Sequence, residues 1–144
     1  METFGYLHRY HLQEKTSDLS TVGGRLKYYR RLKGLSQRDV YEKIGIDKSS
    51  YIHYEGMKTN LDPEMCKKIC EVIGIEPELV YDDYMAFISS DYGTSIKEYR
   101  EKHGMTQKEF GEILDMHPKI SARWERGRSE PSRKSYDKMR NLLI

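Results

Sequence analysis

Between Met105 and Pro131 apolar residues recur at helical spacing in two short bursts. Phe110, Ile113 and Leu114 stand at i, i+3 and i+4, one buried face of a helix that Thr106 can cap and that ends near Asp115. A second helix can begin at His117 with Pro118 in its first position, where a missing N–H is harmless. Trp124 gives it an apolar anchor, while Lys119, Arg123, Arg126 and Arg128 leave its other side basic. Gly127 and Pro131 predict its stop. A short helix, a tight turn and a second helix with one apolar and one cationic side can lay a helix into the DNA major groove.

The same pattern occurs 70 residues earlier. Subtracting 70 lays Gly104-Met105-Thr106-Gln107 on Gly34-Leu35-Ser36-Gln37 without a gap and pairs Tyr99 with Tyr29, Arg100 with Arg30, Glu112 with Glu42 and Glu125 with Glu55. A repeat of that length is too long for a solenoid unit and right for a small domain. In the first copy Leu26, Tyr29, Arg30 and Leu32 make helix 1, whose exposed side carries Arg25, Lys27, Arg31 and Lys33. Ser36 caps helix 2, with Val40, Ile44 and Ile46 as core; Asp47 caps helix 3, Lys48 to about Glu55. Helix 4 runs from Pro63 to Ile73 with Met65, Ile69, Val72 and Ile73 inward, and helix 5 runs from about Pro77 to Tyr81. The expected organisation is an N-terminal segment 1–23, a first domain 24–81, a linker 82–93 and a second domain 94–144. Tyr84 to Ile88 is apolar enough to prolong helix 5 or to pack between the domains. The second copy ends after its fourth helix, Ser132 to Ile144. Tyr136, Met139, Leu142 and Leu143 on that helix therefore need cover from the N-terminal segment, the linker or a second subunit, and a homodimer contact through either terminus would supply it.

Composition sharpens this picture modestly. The net charge of the 144 residues is only +2, but residues 92–144 carry 12 Lys and Arg against 8 Asp and Glu, a net of +4, and residues 24–80 carry 11 against 9. Residues 81–91 hold Asp82, Asp83 and Asp91 with no base. Positive charge thus sits on the two repeats, where phosphate binding would need it. No apolar run approaches the ~20 residues that span a bilayer, and METFGYLHRY lacks the apolar stretch of a secretory signal, so a cytoplasmic protein with no membrane partner is expected.

TQKEFGEIL followed by RWERGRSEPS resembles the helix-turn-helix of the phage-repressor and Cro family, the XRE-type regulators. The resemblance implies an all-α chain of two tandem lambda-repressor-like domains, the second shortened to about four helices. It also implies a double-stranded DNA partner and transcriptional regulation, with repression the expected sense. Two heads in one chain would imitate a repressor dimer, whose reading helices lie about 34 Å apart. By that resemblance Gln37 and Gln107 anchor phosphates at the start of helix 2. The bases are read from helix 3, by Lys48, Ser49 and His53 in the first copy and by Pro118, Lys119 and Arg123 in the second. Lys58 and Arg128 touch backbone phosphate, and Arg30 with Glu55, like Arg100 with Glu125, forms an internal ion pair between helices 1 and 3. Lysine and arginine suit a guanine edge and serine is permissive. Two positions depart from the family pattern: Met57 stands where a glycine is usual after helix 3, and Ile120-Ser121 leaves the phase of the second copy's helix 3 open by about one residue.

Other chemistry is weaker. His8 and His11 lie at i, i+3 with no further ligands nearby, so aromatic packing is preferred to a metal. Cys66 and Cys70 have no Cys-x-x-Cys partner and read as two buried, reduced thiols. No nucleophile–base pair, metal ligand set or phosphate loop stands out, so neither catalysis nor a cofactor is expected. The alternative is a protein-interaction module on the same fold, an antitoxin or transcriptional adaptor, for which Tyr28, Tyr41 and Tyr51 would be exposed contacts.

Overall fold

A computed structural model describes residues 18–57 and 60–143, apart from the side chain of Leu143. His8, His11 and Lys58 lie outside the described residues. The chain divides into two compact units between Asp82 and Asp83. The first holds α1 (Val22–Leu32), α2 (Gln37–Ile44), α3 (Lys48–Glu55), α4 (Pro63–Ile73) and a 3-10 turn, Pro77–Leu79. The second holds α5 (Asp83–Ser89), α6 (Tyr92–Lys102), α7 (Gln107–Ile113), α8 (Pro118–Glu125) and α9 (Arg133–Leu143). All regular structure among the described residues is helical.

The offset of 70 holds for the helices themselves: α6, α8 and α9 have the bounds of α1, α3 and α4 plus 70, and α7 ends one residue short of the equivalent of α2. The start signals explain why. Ser36 and Thr106 accept from the N–H three residues on while Asp39 and Glu109 accept from the cap N–H, a reciprocal capping box in each copy. These bonds hold the Asp39 and Glu109 carboxyls below the usual carboxylate range. Asp47 caps α3 through the Ser50 N–H, and His117 caps α8 by accepting at Nδ1 from the Lys119 N–H.

In the first unit Leu26, Val40, Tyr51, Cys66, Ile69 and Cys70 are fully buried. Ile96, Phe110, Leu114, Trp124 and Met139 form the core of the second. Ile113, predicted as core, is 56% exposed; Phe110 and Leu114, four apart, already fill the inward face. Met65 and Val72 are only half-buried, and Cys66 and Cys70 take the inward positions of α4. The Cys66 thiol is pushed up in pKa by its hydrogen bond with Cys70 and by burial.

α1 packs on α3, and α6 on α8. The approach is close enough to require glycine: a Cβ on Gly93 would lie 2.7 Å from the Glu125 carbonyl oxygen and 2.9 Å from that of Trp124. Gly23 meets the carbonyls of Tyr54 and Glu55 in the same way. The backbone at the end of each third helix is thus seated on a first helix that has no side chain at that point.

Three expectations change. The predicted fifth helix of the first unit is only a 3-10 turn, fixed by Arg25, whose guanidinium donates to the carbonyls of Leu19, Val80 and Tyr81 at 2.8, 3.1 and 3.2 Å. Arg25 therefore closes the unit and does not belong to a free basic face. Where the sequence predicts a linker over 82–93, α5 buries Met85 and Ile88 and α6 begins at Tyr92. The second unit consequently has its four repeat helices plus one in front. Tyr136 meets Phe87 at 5.1 Å and Tyr84 at 5.6 Å between ring centroids, and Met139 is fully buried. The segment expected as a linker thus covers Tyr136, while Leu142 packs on the core of the second unit.

Candidate nucleic-acid interface

The third helix of each copy is held from inside by one charged cluster. Arg30 donates from Nε to Glu55 Oε1 at 2.5 Å and from Nη2 to Oε2 at 3.1 Å, and its Nη1 donates to the Leu35 carbonyl at 2.8 Å. Gln37 Nε2 donates to Glu55 Oε2 at 2.9 Å and the Tyr51 hydroxyl donates to Oε1 at 2.8 Å. Burial would raise the Glu55 carboxyl, but the hydrogen bonds from Arg30, Gln37 and Tyr51 outweigh it and hold the group below the usual carboxylate range. Burial likewise opposes the Arg30 charge, and Glu55 overcomes it. Tyr51 is raised by burial and by the neighbouring carboxylate.

The second copy repeats this cluster with one member missing. Arg100 donates to Glu125 Oε1 from Nε and Nη2 at 3.1 and 2.8 Å and from Nη1 to the Met105 carbonyl at 3.0 Å. Gln107 Nε2 donates to Glu125 Oε2 at 2.7 Å. Ser121 replaces Tyr51, and among the described residues its buried hydroxyl has no hydrogen-bond partner. Both glutamines therefore join helix 2 to the inner carboxylate of helix 3. Their amides retain one more N–H, beside the unpaired backbone donors of a helix start. Tyr51 is wholly buried, so it is no surface contact for a protein.

The inward cluster leaves a defined outward face. On α3, Lys48, Ser49 and His53 are exposed, with Ile52 beside them at 37% exposure. On α8, Lys119 and Arg123 are exposed and Pro118 is half-buried. Two open hollows flank α8: about 210 Å³ lined by His117, Lys119, Ile120 and Arg123, and about 200 Å³ lined by Lys119, Ala122, Arg123, Arg126 and Arg128. Arg128, just past the helix, is exposed beside this face.

The phase of α8 is now fixed. Ser121 and Trp124 point inward and Ile120 packs on the core, so Lys119, Ala122 and Arg123 face outward. Met57, at φ 55°, occupies the left-handed position that Gly127 takes at φ 65°, so the copies stay in register with no shift to Gly56. The Met57 thioether accepts from the Gly23 N–H at 3.1 Å. Ile52 and Ala122 lie on the same side of their helices as the exposed cations, and neither carries a polar group that would mark it as outward in the sequence. Removing the inward Tyr51, Tyr54 and Glu55 from a helical wheel leaves Ile52 on the outward side.

Among the described residues no group of three or more His, Cys, Asp or Glu side chains could hold a metal ion, and no helix is long and apolar enough to cross a membrane.

Comparison with known proteins follows the same two segments. The helix-turn-helix family model matches residues 26–80 and 96–143. The chain is 27% identical over 100 residues to the HTH-type transcriptional regulator SinR of Bacillus subtilis, covering 65% of this chain and 89% of that one. It is 26% identical over the same shares to SinR of Bacillus licheniformis. An uncharacterized HTH-type transcriptional regulator of Methanocaldococcus jannaschii is 33% identical over 61 residues, 41% of this chain and 92% of its own. No solved structure matches.

Proposed function

The chain belongs to the XRE-type helix-turn-helix family and is a DNA-binding transcriptional regulator, and on that premise we propose that it represses transcription by placing α8, α3 or both in the major groove of its operator. Lys119 and Arg123, with Pro118 at the helix start, read bases from α8; Lys48, Ser49 and His53 read them from α3. Gln37, Gln107, Lys58 and Arg128 hold backbone phosphate. Arg30 with Glu55, and Arg100 with Glu125, keep each reading helix on its scaffold. The reading places the protein in the cytoplasm with the DNA it regulates.

The observation that carries this is the two-sidedness of α8. Trp124 is 2% exposed and Ser121 fully buried, while Lys119, Arg123, Arg126 and Arg128 stand together in solvent. Four cations confined to one side of an eight-residue helix and its exit fit a polyanion whose groove admits a helix.

Selection from random duplex DNA on the purified chain at about 0.15 M salt tests it. Enrichment of a defined sequence is expected, and a promoter carrying that sequence should be silenced by the protein in transcription from purified components. Weak, sequence-blind retention would refute sequence-specific binding, and increased transcription would refute repression.

A further inference from the structure

We propose that the two reading helices select unlike sequences, α3 a thymine-bearing site through Ile52 and α8 a guanine-bearing site through Lys119 and Arg123, so that the preferred duplex is not a palindrome. This rests on the DNA-binding reading above.

The gapless offset of 70 places equivalent residues of the two faces side by side. Ser49 corresponds to Lys119, Ile52 to Ala122 and His53 to Arg123. Both helices have the same bounds and the same inner carboxylate, so these pairs occupy equivalent positions on their own scaffolds. Every one of the three pairs differs in chemistry. A repressor dimer reads a palindrome because its two heads are identical. Two heads that differ at each outward position have no such reason to prefer equal half-sites.

Ile52 carries the first half of the inference. It is exposed, while Tyr51 before it is fully buried in the core. An isoleucine on a reading face cannot hydrogen-bond to a base edge, and its complement in the major groove is the thymine 5-methyl group. Ser49, one turn earlier, accepts any neighbour.

α8 has no equivalent apolar projection, because Ala122 is short and half-buried. Lys119 and Arg123 lie one turn apart in solvent, and neither forms an ion pair among the described residues. Their donors match the O6 and N7 acceptors that only guanine presents together.

The test begins with sequences selected by the full chain, which should contain two dissimilar parts, one with thymine and one with guanine. Replacing each thymine by uracil removes only the methyl group. At one position the wild-type chain should lose about fourfold in affinity, and Ile52→Ala should bind thymine and uracil duplexes equally. Replacing guanine by 7-deazaguanine removes N7; the wild type should lose about tenfold and Arg123→Ala no more than twofold. Both side chains are exposed, so each variant keeps its helical signal. Two identical half-sites, or a uracil penalty that persists in Ile52→Ala, would overturn the proposal and leave the DNA-binding reading standing. Absence of any selected sequence would overturn both.

Discussion

Replacing Glu55 by Gln should destabilise the first unit severely. The carboxylate accepts four hydrogen bonds, two from Arg30 and one each from Gln37 and Tyr51. An amide keeps one acceptor oxygen and turns an NH2 toward either Arg30 Nε and the Tyr51 hydroxyl or Arg30 Nη2 and the Gln37 amide. The Arg30 side chain, 7% exposed, is left as a buried charge without its counterion. Breaking such a pair costs about 3–5 kcal/mol, a large part of what holds a small domain together. At roughly 4–8 °C per kcal/mol for a domain of this size, the melting temperature should fall by well over 10 °C. Glu125→Gln should cost less, about 2–3 kcal/mol, because Arg100 is 14% exposed and there is no tyrosine donor. Urea unfolding followed by far-ultraviolet circular dichroism measures both. The single tryptophan, Trp124, lies in the core of the second unit, so its emission reports Glu125→Gln directly. A loss below about 1 kcal/mol for Glu55→Gln, or a larger loss for Glu125→Gln, would refute the reasoning.

Further perturbations probe the same scaffold. Glu55 has a folded pKa below its unfolded one, so its contribution is fully present above the unfolded value near 4.3 and is lost as pH falls through the lower, folded value. The first unit should therefore weaken below about pH 4, and Glu55→Gln should flatten that dependence; an unchanged acid transition would count against it. Gly93→Ala forces a methyl against two backbone carbonyls of α8 and should cost about 1–3 kcal/mol, read by Trp124 emission, with DNA affinity falling alongside. Asp115 sits at φ 54° where the first copy has Gly45 at φ 85°, so Asp115→Gly should stabilise the second unit by about 0.5–1 kcal/mol in the same assay. Cys66 and Cys70 are fully buried, and a thiol reagent should leave them unmodified until urea unfolds the chain; rapid reaction of the native protein would contradict their placement.

Much of this architecture was readable because its signals are local. Capping residues, the left-handed glycines and the helical spacing of the core lie within a few residues of the features they determine, and the gapless repeat allowed each copy to check the other. Thr106 and Ser36 mark the same helix start for the same hydrogen-bonding reason. What escaped depended on contacts distant in sequence. Nothing in Tyr84 to Ile88 alone says that Phe87 will meet Tyr136 across nearly fifty residues, so a packed helix looked like a linker. Arg25 looked like a surface cation because its acceptors, the carbonyls of Val80 and Tyr81, lie more than fifty residues away. Tyr51 and Ile52 were harder still. Which of two adjacent apolar residues faces inward depends on the rotation of α3, and that rotation is fixed by Glu55 reaching Arg30.

In the proposed complex α8 reads bases while the start of helix 2 holds backbone. Fluorescence anisotropy with Arg123→Ala and Gln107→Ala, each on a selected duplex and on a scrambled one at a single salt concentration, tests it most directly. Arg123→Ala should weaken binding to the selected duplex by about tenfold and barely change the scrambled one. Gln107→Ala should weaken both together. Equal losses on the two duplexes from Arg123→Ala would show that this arginine touches only phosphate, and would remove α8 from the groove.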